Sequence, residues 1–116
     1  MKLAIAIVLL TAGIARADSA ADVDKFLKWF DGFADLAQAD QASCPKMGTD
    51  LNKSIDDNKP ILDGAKRAMD SGDEIPGDAA QHMIDTGKRL AAAVQKCKSD
   101  AGVIHALTRL PGRNAK

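Results

Sequence analysis

The chain has 116 residues, 16 basic and 16 acidic side chains, and only three Phe and one Trp with no Tyr. That is enough sequence for one domain, and a chain this small buries only about 60–70% of its unfolded surface. Balanced charge gives no electrostatic pull toward nucleic acid or an anionic membrane, so neither is expected as a partner.

The N-terminus predicts export. Met1-Lys2 is a short positive start, Leu3 to Ile14 is a nearly unbroken apolar run, and Ala15-Arg16-Ala17 has the small-x-small form that a signal peptidase cuts after. A dozen apolar residues rise roughly 18 Å as a helix, short of the ~30 Å hydrocarbon core of a bilayer. Residues 1–17 are therefore expected to be a cleaved signal peptide, and the mature chain to begin at Asp18 with no stable membrane anchor. Its expected location is extracytoplasmic, periplasmic or secreted. Loss of Lys2 and Arg16 leaves 14 basic against 16 acidic groups, a net charge of −2.

Residues 18–110 read as a single helical-bundle domain, because helical periodicity occurs three times and period-two alternation nowhere. In the first segment Val23, Phe26, Phe30, Phe33, Ala34 and Ala37 share one face. Leu27 lies on one shoulder of that face and Trp29 with Leu36 on the other. Ser19, with Asp22 three residues on, reads as a helix start.

The middle segment contains Pro60, which could divide it into two helices and give a four-helix bundle. The apolar phase nevertheless continues through the proline: Met47, Leu51, Ile55, Asn58, Leu62, Ala65 and Met69 are spaced 4, 4, 3, 4, 3 and 4. Pro60 itself projects to the opposite face, where a proline kinks a helix without shifting its stripe. Ser43 reads as the cap of this segment.

The last long segment, Asp78 to about Ser99, carries Ala80, Met83, Ile84, Gly87, Leu90, Ala91 and Val94 as a stripe. Asp78 and Gln81 have the spacing of a capping box. Beyond it, Val103, Ile104, Leu107 and Leu110 recur at helical spacing, predicting a short helix folded back over the bundle end. Residues 111–116 read as a flexible tail.

The two cysteines, Cys44 and Cys97, are expected to form a disulfide in an oxidising compartment. Their positions also choose the topology. With three long helices running up, down and up, both cysteines reach the same end of the bundle. With four antiparallel helices they would lie roughly 25–30 Å apart, beyond any disulfide. The predicted fold is thus all-α: a small up-down-up three-helix bundle, its middle helix kinked at Pro60 and closed by Cys44–Cys97, with a four-helix bundle as the alternative.

Little in the sequence points to catalysis. His82 projects with Asp85 and Arg89 from the polar side of the last helix, His105 lies in the C-terminal segment, and no serine has a nucleophile-elbow setting. The disulfide would occupy both thiols, so no enzyme activity is expected. Asp70, Asp73 and Glu74 surround Gly72 but lack the spacing of a calcium loop, and no metal is expected. Without a Cys-x-x-Cys-His motif or inward-facing histidines beside Met47, Met69 and Met83, no cofactor is expected either.

Two features suggest binding instead. Trp29 with Leu36 at the edge of its apolar arc could anchor a protein partner. Asn58, a lone polar residue in an apolar stripe, could mark a ligand pocket with Met47 and Met69; its structural role would be to satisfy a carbonyl freed by the proline. The leading expectation is a non-enzymatic protein-interaction module. The alternative is a carrier of a small apolar ligand held between the helices.

Overall fold

The computed structural model describes residues 2–72 and 75–111, with side chains from residue 19 onward. Its elements are α1 (Lys2–Ala39), α2 (Cys44–Asp57), α3 (Lys59–Asp70), α4 (Gly77–Val94), a single 3-10 turn (Gln95–Cys97) and α5 (Ala101–Thr108). The fold is an all-helical bundle closed by a disulfide between Cys44 and Cys97, whose Cα atoms lie 5.3 Å apart.

Cross-helix contacts give the direction of each limb. The Trp29 indole N–H donates to Ser54 Oγ at 3.0 Å, while Asp22 lies against Gly64, so α2 and α3 together run antiparallel to α1. Asp31 meets His82, Asp35 meets Arg89 and Gln41 reaches the Ala93 carbonyl, so α4 runs parallel to α1. This up-down-up course brings Cys97 to Cys44, as the cysteine argument required.

The core is built where the stripes predicted it. Phe26, Phe30, Phe33, Ala34 and Ala37 of α1 pack with Met47, Leu51, Ile55, Leu62 and Ala65 of the middle limb. Each large side chain fully buried here contributes about 1.5–3 kcal/mol through loss of apolar surface from water.

The expected kink falls at Asn58, two residues before Pro60. Asn58 has φ −124° and ψ 28°, which ends α2 and lets α3 begin at Lys59. Its backbone N–H bonds the Ile55 carbonyl at 3.2 Å, and its side-chain Nδ2 donates to the Ser54 carbonyl at 2.7 Å. The amide thus takes the place of its own backbone N–H at the end of α2. Pro60 sits in the first turn of α3, where a missing N–H costs nothing, and it is exposed.

Other local expectations differ from the structure. No helix starts at Ser19, because α1 is continuous from Lys2 to Ala39. The expected cleavage site after Ala17 falls within that helix, and the side chains of residues 1–18 lie outside the described residues. The Asp78–Gln81 capping box is not formed. Pro76 is the N-cap, Asp78 stands in the first turn where the helix dipole favours a carboxylate, and Gln81 bonds Asp85 at 2.9 Å.

The short C-terminal helix does not cap the bundle end. α5 lies along α2 and parallel to it, because Gly48 and Gly102 allow the two backbones to touch. A Cβ on Gly48 would stand 3.0 Å from the Gly102 carbonyl carbon. Asn52 Nδ2 bridges the carbonyls of Gly48 (2.8 Å) and Gly102 (2.9 Å), and Arg109 ties the far end of α5 to Asn52 and Asp56. Val103 and Ala106 are fully buried against this seam.

Candidate ligand-binding cleft

The packing just described leaves one side of α4 uncovered. α4 packs on α1, α5 packs on α2, and no extensive packing joins α3 to α4. The buried residues of α4 are Thr86, Leu90, Ala93 and Val94, and Ile84 of the expected stripe is 52% exposed. The helix is therefore rotated from its expected orientation, with Met83, Gly87 and Ala91 turned toward the gap.

That gap is an apolar cleft of about 510 Å³. Phe26 and Phe30 of α1 form its floor, Met69 of α3 one bank, and Met83, Gly87, Leu90, Ala91 and Val94 of α4 the other. Gln95, Leu107, Leu110 and Pro111 complete the lining, which includes no ionisable side chain among the described residues. Gly87 sets part of the volume: nothing lies within 4 Å of where its Cβ would stand. A glycine inside a helix costs about 0.5–1 kcal/mol relative to alanine. Gly87→Ala is accordingly expected to raise unfolding free energy by that amount in urea titrations.

A second groove, of about 660 Å³, adjoins the cleft and shares Met69, Leu110 and Pro111 with it. It runs between α3 and the end of α5, where Ile55 and Leu62 share the lining with Lys59, Asp63, Lys66, Asp70, Thr108 and Arg109.

The sequence-predicted site residues separate in the structure. Met69 lines both depressions. Met47 is fully buried in the core, and Asn58, half-buried, lines neither cleft nor groove. Trp29 is only 9% exposed, its ring 4.7 Å from Phe33 and its N–H bonded to Ser54, so it lies in the core instead of on an open shoulder. Leu36 is half-buried against the same core. Of the acidic turn, Asp73 and Glu74 lie outside the described residues, while Gly72 takes a positive φ of 76° that suits a glycine. Among the described residues no three His, Cys, Asp or Glu side chains are grouped to hold a metal ion.

A polar cluster that sequence reasoning missed fastens α4 to α1 away from the cleft. His82 Nε2 lies 2.8 and 2.9 Å from the Asp31 carboxylate oxygens, Thr86 Oγ1 donates to Asp31 at 2.6 Å, and Arg89 reaches Asp35 at 2.9 Å. The signal was complementary spacing: Asp31 and Asp35 recur on α1 as His82, Thr86 and Arg89 recur on α4. Burial pushes the Asp31 carboxyl up, but the hydrogen bonds from Thr86 and His82 and the charges of His82 and Arg89 outweigh it and hold it below its ordinary value. A carboxyl lowered by folding stabilises above its unfolded pKa and loses that contribution as pH falls through the folded value. Unfolding free energy is thus expected to drop in acid below about pH 4. In parallel urea titrations across that range, Asp31→Asn is expected to show a shallower drop.

The chain matches no protein-family model, no curated protein and no solved structure.

Proposed function

We propose that the protein is a non-enzymatic, extracytoplasmic carrier that holds a small apolar ligand between its helices. The observation that carries this reading is the open apolar cleft walled by α1, α3, α4 and α5 in a domain too small to leave such surface uncovered without cost. Export is supported by the leader sequence and by a disulfide that suits an oxidising compartment. No helix among the described residues is long and apolar enough to cross a membrane. Both cysteines are occupied by the disulfide, which removes the only nucleophiles the sequence offered. A protein-interaction module anchored on Trp29 and Leu36 has less support, because the Trp29 ring is covered within the bundle.

Isothermal titration with dodecanol tests the carrier. The wild type is expected to bind it, and ligand at ten times Kd adds about 1.4 kcal/mol of stability, a rise of several degrees in Tm. Gly87→Leu places a side chain in the cleft and is expected to weaken binding at least tenfold, on the order of one to two buried methylenes' worth of lost contact. Gly32→Leu, at an exposed and equally open position on α1, is the matched control and leaves binding unchanged. Absence of dodecanol binding to the wild type overturns the proposal.

A further inference from the structure

The solvent-facing edge of α3 carries four charged side chains in the order Lys59, Asp63, Lys66, Asp70. At 3.6 residues per turn they fall within roughly 60° of the helix circumference, in one row about 17 Å long. All four are exposed, and none forms an ion pair among the described residues. Spacing alone does not account for this. On α2, Lys46 and Asp50 close at 2.6 Å, and Lys53 and Asp57 also at 2.6 Å, with the same order and the same four-residue separation. Lys59–Asp63 and Lys66–Asp70 stay open.

The formal charges of the row cancel, so it draws neither an acidic nor a basic partner as a whole. Its order is the informative part. The separations are 4, 3 and 4 residues, so the outer pair and the inner pair share one midpoint, between Gly64 and Ala65. A two-fold axis through that midpoint, perpendicular to the helix, lays α3 antiparallel on α3 of another copy. Lys59 then faces the partner's Asp70, and Asp63 faces the partner's Lys66. The axis repeats both pairs, as an isologous contact requires, and no like charges stand opposite. A parallel alignment in register would set lysine against lysine. Beside the row, Leu62 and Met69 line the groove, and the four-carbon stem of a partner lysine can lie along such apolar ground while its ammonium meets a carboxylate.

We propose that α3 is a self-association surface, pairing antiparallel with α3 of a second copy of this chain through four ion pairs. One three-turn helix pair is at the small end of specific interfaces, so the dimer is weak and reversible, with a Kd on the order of 10–100 μM. The contact does not rest on the carrier reading, because none of the four residues lines the apolar cleft.

Sedimentation equilibrium from about tenfold below to about tenfold above that Kd tests it. The wild type is expected to pass from monomer to dimer, and to do so less readily at high salt, which screens exposed pairs. Lys59→Asp with Lys66→Asp makes the row wholly acidic, and Asp63→Lys with Asp70→Lys makes it wholly basic. Each variant alone is expected to dimerise at least about tenfold more weakly, and an equimolar mixture to recover dimer within about threefold of the wild type. Circular dichroism checks that both variants keep their helix. If either loses it, the salt dependence of the wild type still decides. A wild type that stays monomeric throughout overturns the proposal. So does a dimer that salt strengthens, the mark of an apolar contact, or one that both charge variants keep. A mixture of folded variants no more associated than its components overturns it as well.

Discussion

Replacing Cys44 and Cys97 together by alanine is expected to lower unfolding free energy by about 4 kcal/mol, from the entropy of closing a loop of 53 residues in the unfolded chain. That is a quarter or more of the usual total of about 5–15 kcal/mol. The loss should not be spread evenly. The bond joins the start of α2 to the 3-10 turn that leads into α5, and α5 has eight residues, too few to be helical alone. Once the bond is gone, α5 is held by the Gly48–Gly102 approach, by Asn52 and Arg109, and by the buried Val103 and Ala106. Urea unfolding with and without reductant measures the global term. Hydrogen exchange reads the local one, and the amides of α5 are expected to lose protection before those of α1. A loss under 1 kcal/mol would mean that the unfolded chain is already compact around the two cysteines.

The features legible in the sequence were those fixed by one helix at a time or by the cysteines. Spacing along the middle segment identified which of its residues face inward, and it did so despite the break, because Asn58 turns the chain without changing the helical phase. The cysteines added the long-range fact that periodicity lacks, and they selected the up-down-up course. What failed concerned how much of each helix a neighbour covers. Trp29 stands at the margin of an arc, and only the position of Ser54 on α2 decides that the margin is enclosed. Ile84 belongs to the same stripe as Leu90, yet Leu90 is 5% exposed and Ile84 52%.

The cleft was illegible for a related reason. It exists because no extensive packing joins α3 to α4, and sparse contact between two elements leaves no pattern in either one. Met69 was named among the pocket residues because it is a methionine in an apolar stripe. Met47 shares that description and is core, so residue type and phase do not separate the two. The better signal was Gly87. A glycine at the centre of a helical stripe weakens the helix and removes a side chain from a surface expected to be packed, and both effects make sense where open volume is retained. Asn58 misled as a ligand anchor because its amide answers a local need, the Ser54 carbonyl at the end of α2.

Phe33→Ala is expected to cost 3–5 kcal/mol in urea unfolding, and its comparison with Phe30→Ala tests the cleft through stability alone. Phe33 is 1% exposed, stands 4.7 Å from the Trp29 ring and packs in the cluster that holds Met47 and Leu51. Close-packed neighbours on every side cannot collapse into the space that a missing ring leaves, so the full cavity cost is felt. Phe30 belongs to the same aromatic row and is 8% exposed, yet one side of it forms the floor of the cleft. Its removal only enlarges a space already open to solvent, and water or a rotated Met69 or Met83 side chain can enter. Phe30→Ala is therefore expected to cost clearly less than Phe33→Ala, on the order of half. Equal costs would show that Phe30 is packed as tightly as Phe33 and that the cleft is closed in solution. The smaller cost, with dodecanol narrowing the difference in the wild type's favour, would tie the missing packing directly to the bound ligand.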